Sequence, residues 1–202
     1  MKSSFKGNLL LSFGLSLLLL VISSVASYVS ITRLLESREE VEKTNTIIRD
    51  LENVISTMKD AETGQRGFLL TKDERFLAPY NGSYATAMGL QVKIKAALRD
   101  RTQLANVDSL KRMIGSRLNA LELLIQMKRQ NFEITNNDLE RGKQHMDEIR
   151  LMVKTMEEFE RIQLDKKNAE LTKLSTYTPN LILIAALLSI IITILSFVRV
   201  NT

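Results

Sequence analysis

Two long runs of this chain carry no charged residue, one at residues 7–32 and one at residues 174–198. Each is longer than the roughly 20 apolar residues that a helix needs to cross a hydrocarbon core. Between them lies a polar, periodic segment with few glycines and prolines. The pattern predicts a chain that enters a membrane, leaves it for a long excursion and returns, as a chain carrying a signal across would do.

With 202 residues and two segments in lipid, there is room for one modest soluble domain. The net charge of +5 is spread over alternating acids and bases, as on solvated helices. No aromatic-plus-basic cluster suggests nucleic-acid binding. The absence of cysteine excludes a disulfide framework and a thiolate metal site. Lys2 and Lys6 precede the first run and Arg199 follows the second, so both ends are expected to be cytoplasmic and the loop outside. Tyr28 and Tyr177 fall near the outer ends of the spans, where amphipathic rings prefer to lie. A cleaved signal peptide is the rival reading of the first run, with an apolar region at residues 9–22 and a cleavage site at Val25-Ala26-Ser27. The apolar run and its helical periodicity continue beyond that point, which favours the span.

From Leu34 a seven-residue repeat runs through Val41, Ile48, Ile55 and Leu69, with Leu51 and Met58 on a second row. This is a bundle or coiled-coil seam. One rod is expected from about residue 8 to about residue 70, near 90 Å at 1.5 Å per residue. Thr71-Lys72-Asp73-Glu74 reads as a capping box, with Asp73 as an alternative cap. The second helix is expected to place Leu77, Tyr80, Tyr84, Ala87, Ile94 and Leu98 on one face, with Pro79 in its first turns. A turn at residues 100–106 leads to a third helix with Val107, Leu110, Ile114, Leu118, Leu121 and Ile125 inward. Thr135-Asn136-Asn137-Asp138 reads as loop and cap. The fourth helix carries Met146, Ile149, Val153, Met156 and Phe159, and runs to Thr178-Pro179. The inner two helices are expected to be about 27 residues each, within a few residues at each boundary. Short connections make neighbours antiparallel. The expected fold is all-α: an up-down four-helix bundle between two transmembrane helices. The organisation is a cytoplasmic N-terminus at 1–7, spans at 8–29 and 179–198, the bundle at 30–178, and the start of a cytoplasmic linker at 199–202.

The seam of the first helix turns polar near its end. Glu62 and Gln65 occupy inward rows, with Arg66 beside them. Gly64 and Gly67 sit nearby, each costing about 1 kcal/mol relative to Ala inside a helix. Such residues are used where a backbone must come close or a helix must bend. The fourth helix shows a similar break in Arg141-Gly142-Lys143, followed by Asp147 and Arg150. The topology brings Glu62, Gln65, Arg66, Lys143 and Asp147 to one height as a polar layer. A buried polar layer can set helix register at a cost in stability. It can also bind a small anion or zwitterion.

Asp60-Ala61-Glu62-Thr63-Gly64-Gln65-Arg66-Gly67-Phe68-Leu69-Leu70-Thr71, followed by Asp73-Glu74-Arg75-Phe76-Leu77 and Pro79-Tyr80, resembles the signature of the third type of CHASE domain. Arg141-Gly142-Lys143 with Met146-Asp147-Glu148-Ile149-Arg150 resembles that family's second signature. The resemblance implies an extracytoplasmic four-helix sensor, a dimeric receptor and a ligand not specified by the family. It implies a bacterial inner-membrane receptor, most often a histidine kinase.

His145 is the single histidine and reads as a solvated helix residue. No phosphate loop, metal set or nucleophile-and-base arrangement is legible, so no cofactor and no enzymatic activity are expected of this chain. The methionines read as bundle packing. The expected partners are membrane lipid, a second copy of the chain and an output domain following Thr202, with the chain a piece of a longer receptor. The competing expectation is a stand-alone two-span protein that pairs with a separate partner.

Overall fold

The structure, a computed structural model, describes the backbone of residues 2–201 and the side chains from residue 13 onward, apart from 174, 176–178, 181, 196, 197 and 199–201. The side chains of Lys2, Lys6, Tyr177 and Arg199, on which the orientation argument leans, lie outside those described residues. Helix α1 spans Lys2–Thr71, α2 Ser83–Ala97, α3 Arg101–Arg129 and α4 Asn136–Asn201, with a 3-10 turn at Glu74–Leu77. Among the described residues there is no strand, and the fold is all-α. The chain divides into two compact units, Glu42–Leu164 and the pair of segments Met1–Val41 and Asp165–Thr202.

In the unit Glu42–Leu164, apolar residues recur at three- and four-residue spacing and close one core from all four helices. Leu51, Val54 and Met58 come from α1, Ala87 and Ile94 from α2, Val107, Leu110, Ile114 and Leu121 from α3, and Met146, Ile149, Val153 and Met156 from α4. A buried CH₂ contributes about 0.8 kcal/mol, so these rows are what keep the helices together. Lys95 pairs with Asp108 at 2.6 Å, and Met88 Cε faces Gly115. The numbers rise on α2 as they fall on α3, so the two are antiparallel. Gln103 Nε2 donates to the Met156 carbonyl at 3.1 Å, while Arg117 packs against Gly142. Helices α3 and α4 are therefore antiparallel too.

Several boundaries differ from the sequence expectation, each for a local reason. Helix α2 has 15 residues, because the chain first makes the 3-10 turn and then bends through Pro79 and Gly82. Gly82 has φ 83°, a left-handed conformation that favours glycine. Leu77 is buried from the turn and Tyr84 is exposed. The Thr71/Glu74 capping box does not form. Thr71 Oγ1 donates to the Gly67 carbonyl at 2.8 Å and accepts from the Asp73 N–H at 3.1 Å. Glu74 pairs with Arg129 instead, and Asp73 caps the turn by accepting from the Arg75 N–H at 2.9 Å. Asp100 accepts from the N–H groups of Thr102 and Gln103, so α3 starts at Arg101 and only residues 98–100 connect it to α2. Thr135 and Asp138 form the reciprocal cap that opens α4. Pro179 lies within α4, which continues to Asn201.

In the other unit, Phe13, Leu17, Leu20 and Val25 on α1 and Leu187, Ile190, Ile194 and Leu195 on α4 are exposed. The portion of α1 at Phe13–Thr71 contains an 18-residue window of mean hydropathy 2.0, long and apolar enough to cross a membrane. The apolar stretch described in α4 is Ile182–Leu195, with residues 181, 196 and 197 outside the described side chains. Ser16 Oγ lies 3.0 Å from Ser189 Oγ and 3.1 Å from Thr193 Oγ1. Hydroxyls of this kind hold apolar helices together. Lys167 pairs with Glu40 at 3.3 Å.

Candidate functional site

The candidate site lies where the C-terminal part of α1, the middle of α3 and the first turns of α4 face one another. Two glycines shape the α1 side. A Cβ on Gly64 would stand 2.7 Å from the Phe76 carbonyl oxygen, and one on Gly67 would stand 2.5 Å from the Phe76 ring. They are therefore glycines so that the returning turn can lie against α1. Phe68, Leu77 and Ile125 then close a small second core, with Leu69 and Tyr80 against it. Arg129 braces this end. Its guanidinium lies 5.7 Å from the Phe68 ring centroid and makes two hydrogen bonds to Glu74, of 2.9 and 2.7 Å. Those bonds hold the Glu74 carboxyl below its usual range. The Tyr80 hydroxyl donates to Glu122 at 2.7 Å. Burial first, and then Glu122, pushes the Tyr80 phenol up. Lys72 Nζ donates to Asn131 Oδ1, which joins the connection after α1 to the one after α3.

Beside this brace, a cleft of about 630 Å³ opens among α1, α3, α4 and residues 132–134. Its polar end is an ion triad. Glu62, 6% exposed, lies with Oε1 2.7 Å from Arg66 Nη2 and 3.3 Å from Arg117 Nη2. The Arg117 residue is 3% exposed. A Cβ on Gly142 would stand 2.6 Å from Arg117 Nη1, so the glycine of α4 makes room for the guanidinium. Burial lowers the Arg117 pKa, and Glu62 opposes that shift. Two guanidiniums share one carboxylate, leaving one excess positive charge. Gln65 is also buried. Its Nε2, with Arg117 Nε and Nη1, finds no hydrogen-bond partner within the protein. A buried unsatisfied donor costs about 1–3 kcal/mol, more if charged. Leu69, Leu124 and Leu139 form apolar walls, and Lys128, Glu133 and Asp138 lie on the rim.

Of the residues singled out from sequence, the cleft brings together Glu62, Gln65 and Arg66. Lys143 and Asp147 are exposed and are not among the residues lining it, and Asp147 pairs with Arg150 at 2.7 Å. Arg117 was absent from the sequence-derived set. Its signal was a charged residue on the otherwise apolar row of Leu110, Ile114 and Leu121. His145 is half-buried, with no partner within the protein for Nδ1. Among the described residues, no group of three His, Cys, Asp or Glu side chains is placed to hold a metal ion.

The model of the CHASE3 domain matches residues 37–170. This chain belongs to the CHASE3 family. CHASE3 domains are extracytoplasmic sensory domains of signalling receptors, which supports a sensor role. The CHASE3 match covers every residue lining the cleft. No curated protein and no solved structure matches the chain.

Proposed function

We propose that this chain is the transmembrane sensory input module of a bacterial receptor of the sensor histidine kinase kind. In this reading an up-down four-helix bundle stands outside the inner membrane on two membrane-crossing legs, residues 8–29 and 179–198. An output domain follows Thr202, and two copies pair in parallel through α1 and α4. The observation that carries the reading is the cleft within the CHASE3 segment, because α1 and α4 both contribute to its walls, together with α3 and residues 132–134. Helices α1 and α4 also contain the apolar runs. An event in the cleft that favours one spacing of α4 against α1 shifts the equilibrium by its differential affinity for the two arrangements. The chain itself carries no catalytic step in this reading.

The test is a hybrid receptor. Residues 1–202 are joined, in each helical register, to the cytoplasmic core of a histidine kinase that drives a transcriptional reporter. At least one register should give regulated output, and Gly142→Leu, which displaces the Arg117 guanidinium, should change it. If no register supports output while the hybrid reaches the membrane, the input-module reading falls. A stand-alone protein that pairs with a separate membrane partner then takes its place.

A further inference from the structure

The polar residues lining the cleft bear on the chemistry of what it takes. Gln65 and Arg117 line its polar end, and the three atoms they bury without a partner, Gln65 Nε2, Arg117 Nε and Arg117 Nη1, are all nitrogen donors. Their complement is a group that only accepts, and an ionised carboxylate is one. The charge at that end agrees, since Arg66 and Arg117 share the carboxylate of Glu62, while Glu133 and Asp138 elsewhere on the lining outnumber Lys128 and balance the cleft as a whole. Glu62 takes up Arg117 Nη2, and Nε and Nη1, which point to different sides of the guanidinium, each keep a donor for an anionic oxygen. Beyond that end the walls are Leu69, Leu124 and Leu139, which suit an apolar body. The volume of about 630 Å³ falls in the range of small-molecule sites, roughly 300–1,000 Å³.

We infer that the cleft is a binding site for a small organic carboxylate, with its carboxylate on Arg117 and Gln65 and its apolar part against the leucines. This rests on the sensor reading and names the ligand class of that same site. Glu62 has two effects on it. It holds Arg117 in place, and it lowers the positive charge the ligand meets, so affinity is set for reversible occupancy. The exposed Arg66 side chain lies at the mouth and can exchange its partner Glu62 for the incoming anion.

Isothermal titration calorimetry of the full chain in lipid nanodiscs tests this, with empty nanodiscs subtracted and chloride held constant. The probes are acetate, hexanoate and 4-phenylbutanoate, with 4-phenylbutanamide as the neutral isostere. Affinity should rise from acetate to 4-phenylbutanoate at one site per chain, and the amide should bind at least about tenfold more weakly. Arg117→Lys, which keeps the charge but loses the fixed Nε and Nη1 donors, should weaken 4-phenylbutanoate binding by a similar factor. Leu139→Trp narrows the cleft from its half-exposed wall while leaving the residues of the triad in place, and should do the same while the chain remains folded by circular dichroism. The inference is overturned if none of the three carboxylates binds saturably to the folded chain. It is equally overturned if the amide matches its carboxylate, or if Leu139→Trp leaves binding unchanged. Failure here with a regulated hybrid receptor removes the carboxylate and leaves the sensor reading standing. Saturable, Arg117-dependent binding with an unregulated hybrid does the reverse.

Discussion

The pair Glu62–Arg117 and the pair Glu62–Arg66 share one carboxylate but differ in energetic standing, because burial differs. The Arg117 side chain is 4% exposed and that of Arg66 is 62% exposed. Removing one partner of a buried pair costs about 3–5 kcal/mol, because the other charge is left unpaired. An exposed pair contributes roughly 0–1 kcal/mol. Glu62→Ala should therefore lower stability severely and Arg66→Ala slightly, as read from thermal unfolding of the full chain. Glu62→Ala with Arg117→Met should cost much less than the sum of the single changes; additive costs would mean the two do not interact. The glycines give a second contrast. Ala gains about 1 kcal/mol over Gly from helix propensity alone. Gly64→Ala should nevertheless destabilise, since its methyl meets the fixed Phe76 carbonyl oxygen. Gly67→Ala meets the Phe76 ring, which is half-exposed and can rotate, so its unfolding midpoint should fall less. Equal midpoints would show that the turn moves freely. The polar break on α1 was legible in the sequence because Glu62 and Gln65 interrupt an apolar row. The α4 side was misjudged by one position. Its buried row is Gly142, Met146, Ile149, Val153 and Met156, and Lys143 and Asp147 each follow a member of it by one residue, about 100° around the helix.

At the scale of elements, the inward faces of α3 and α4 were readable from three- and four-residue spacing, and the turn that precedes α2 was not. Leu77 and Tyr80 fit a helical row in sequence, yet they pack from a turn whose shape depends on Gly64, Gly67 and Gly82 and not on periodicity. The α1–α4 contact offers a pH test of its own. Glu157 on α4 is held above the usual carboxylate range, by burial first and by Glu52 on α1 second, with Arg161 opposing. A folded-state pKa raised above the unfolded one means that the native state holds its proton more readily. The associated stability is then fully present below the ordinary Glu pKa of about 4.3 and is lost as pH rises through the folded value. Glu157→Gln should remove that loss. The variant should melt above the parent at pH 7, and the gap should close as pH falls towards about 4. A gap that does not change with pH would assign the difference to packing.

At the scale of the whole molecule, the two charge-free runs and the flanking Lys2, Lys6 and Arg199 argue for both ends inside and the CHASE3 segment outside. A reporter active only in the cytoplasm should work when joined after Thr202 and fail when inserted at Asn106, in the first turns of α3. The same activity at both positions would remove the two-span reading, and with it a route by which α4 could reach an inner output domain. Pairing of copies is argued from anchoring. Two chains held in one bilayer meet at a raised effective concentration, so a weak parallel contact between matching helices is enough to associate them. Arg38 on α1 and Lys166 on α4 are exposed and fall within the unit that contains the apolar runs. Since the chain has no cysteine of its own, Arg38→Cys or Lys166→Cys introduces one thiol per chain, and any disulfide formed on mild oxidation joins two copies. Dimers should appear at one or both positions in membranes and fade on dilution with excess lipid. A scan of single cysteines along residues 33–41 and 165–173 that yields no cross-link would exclude the parallel dimer and leave signalling to motion within one chain.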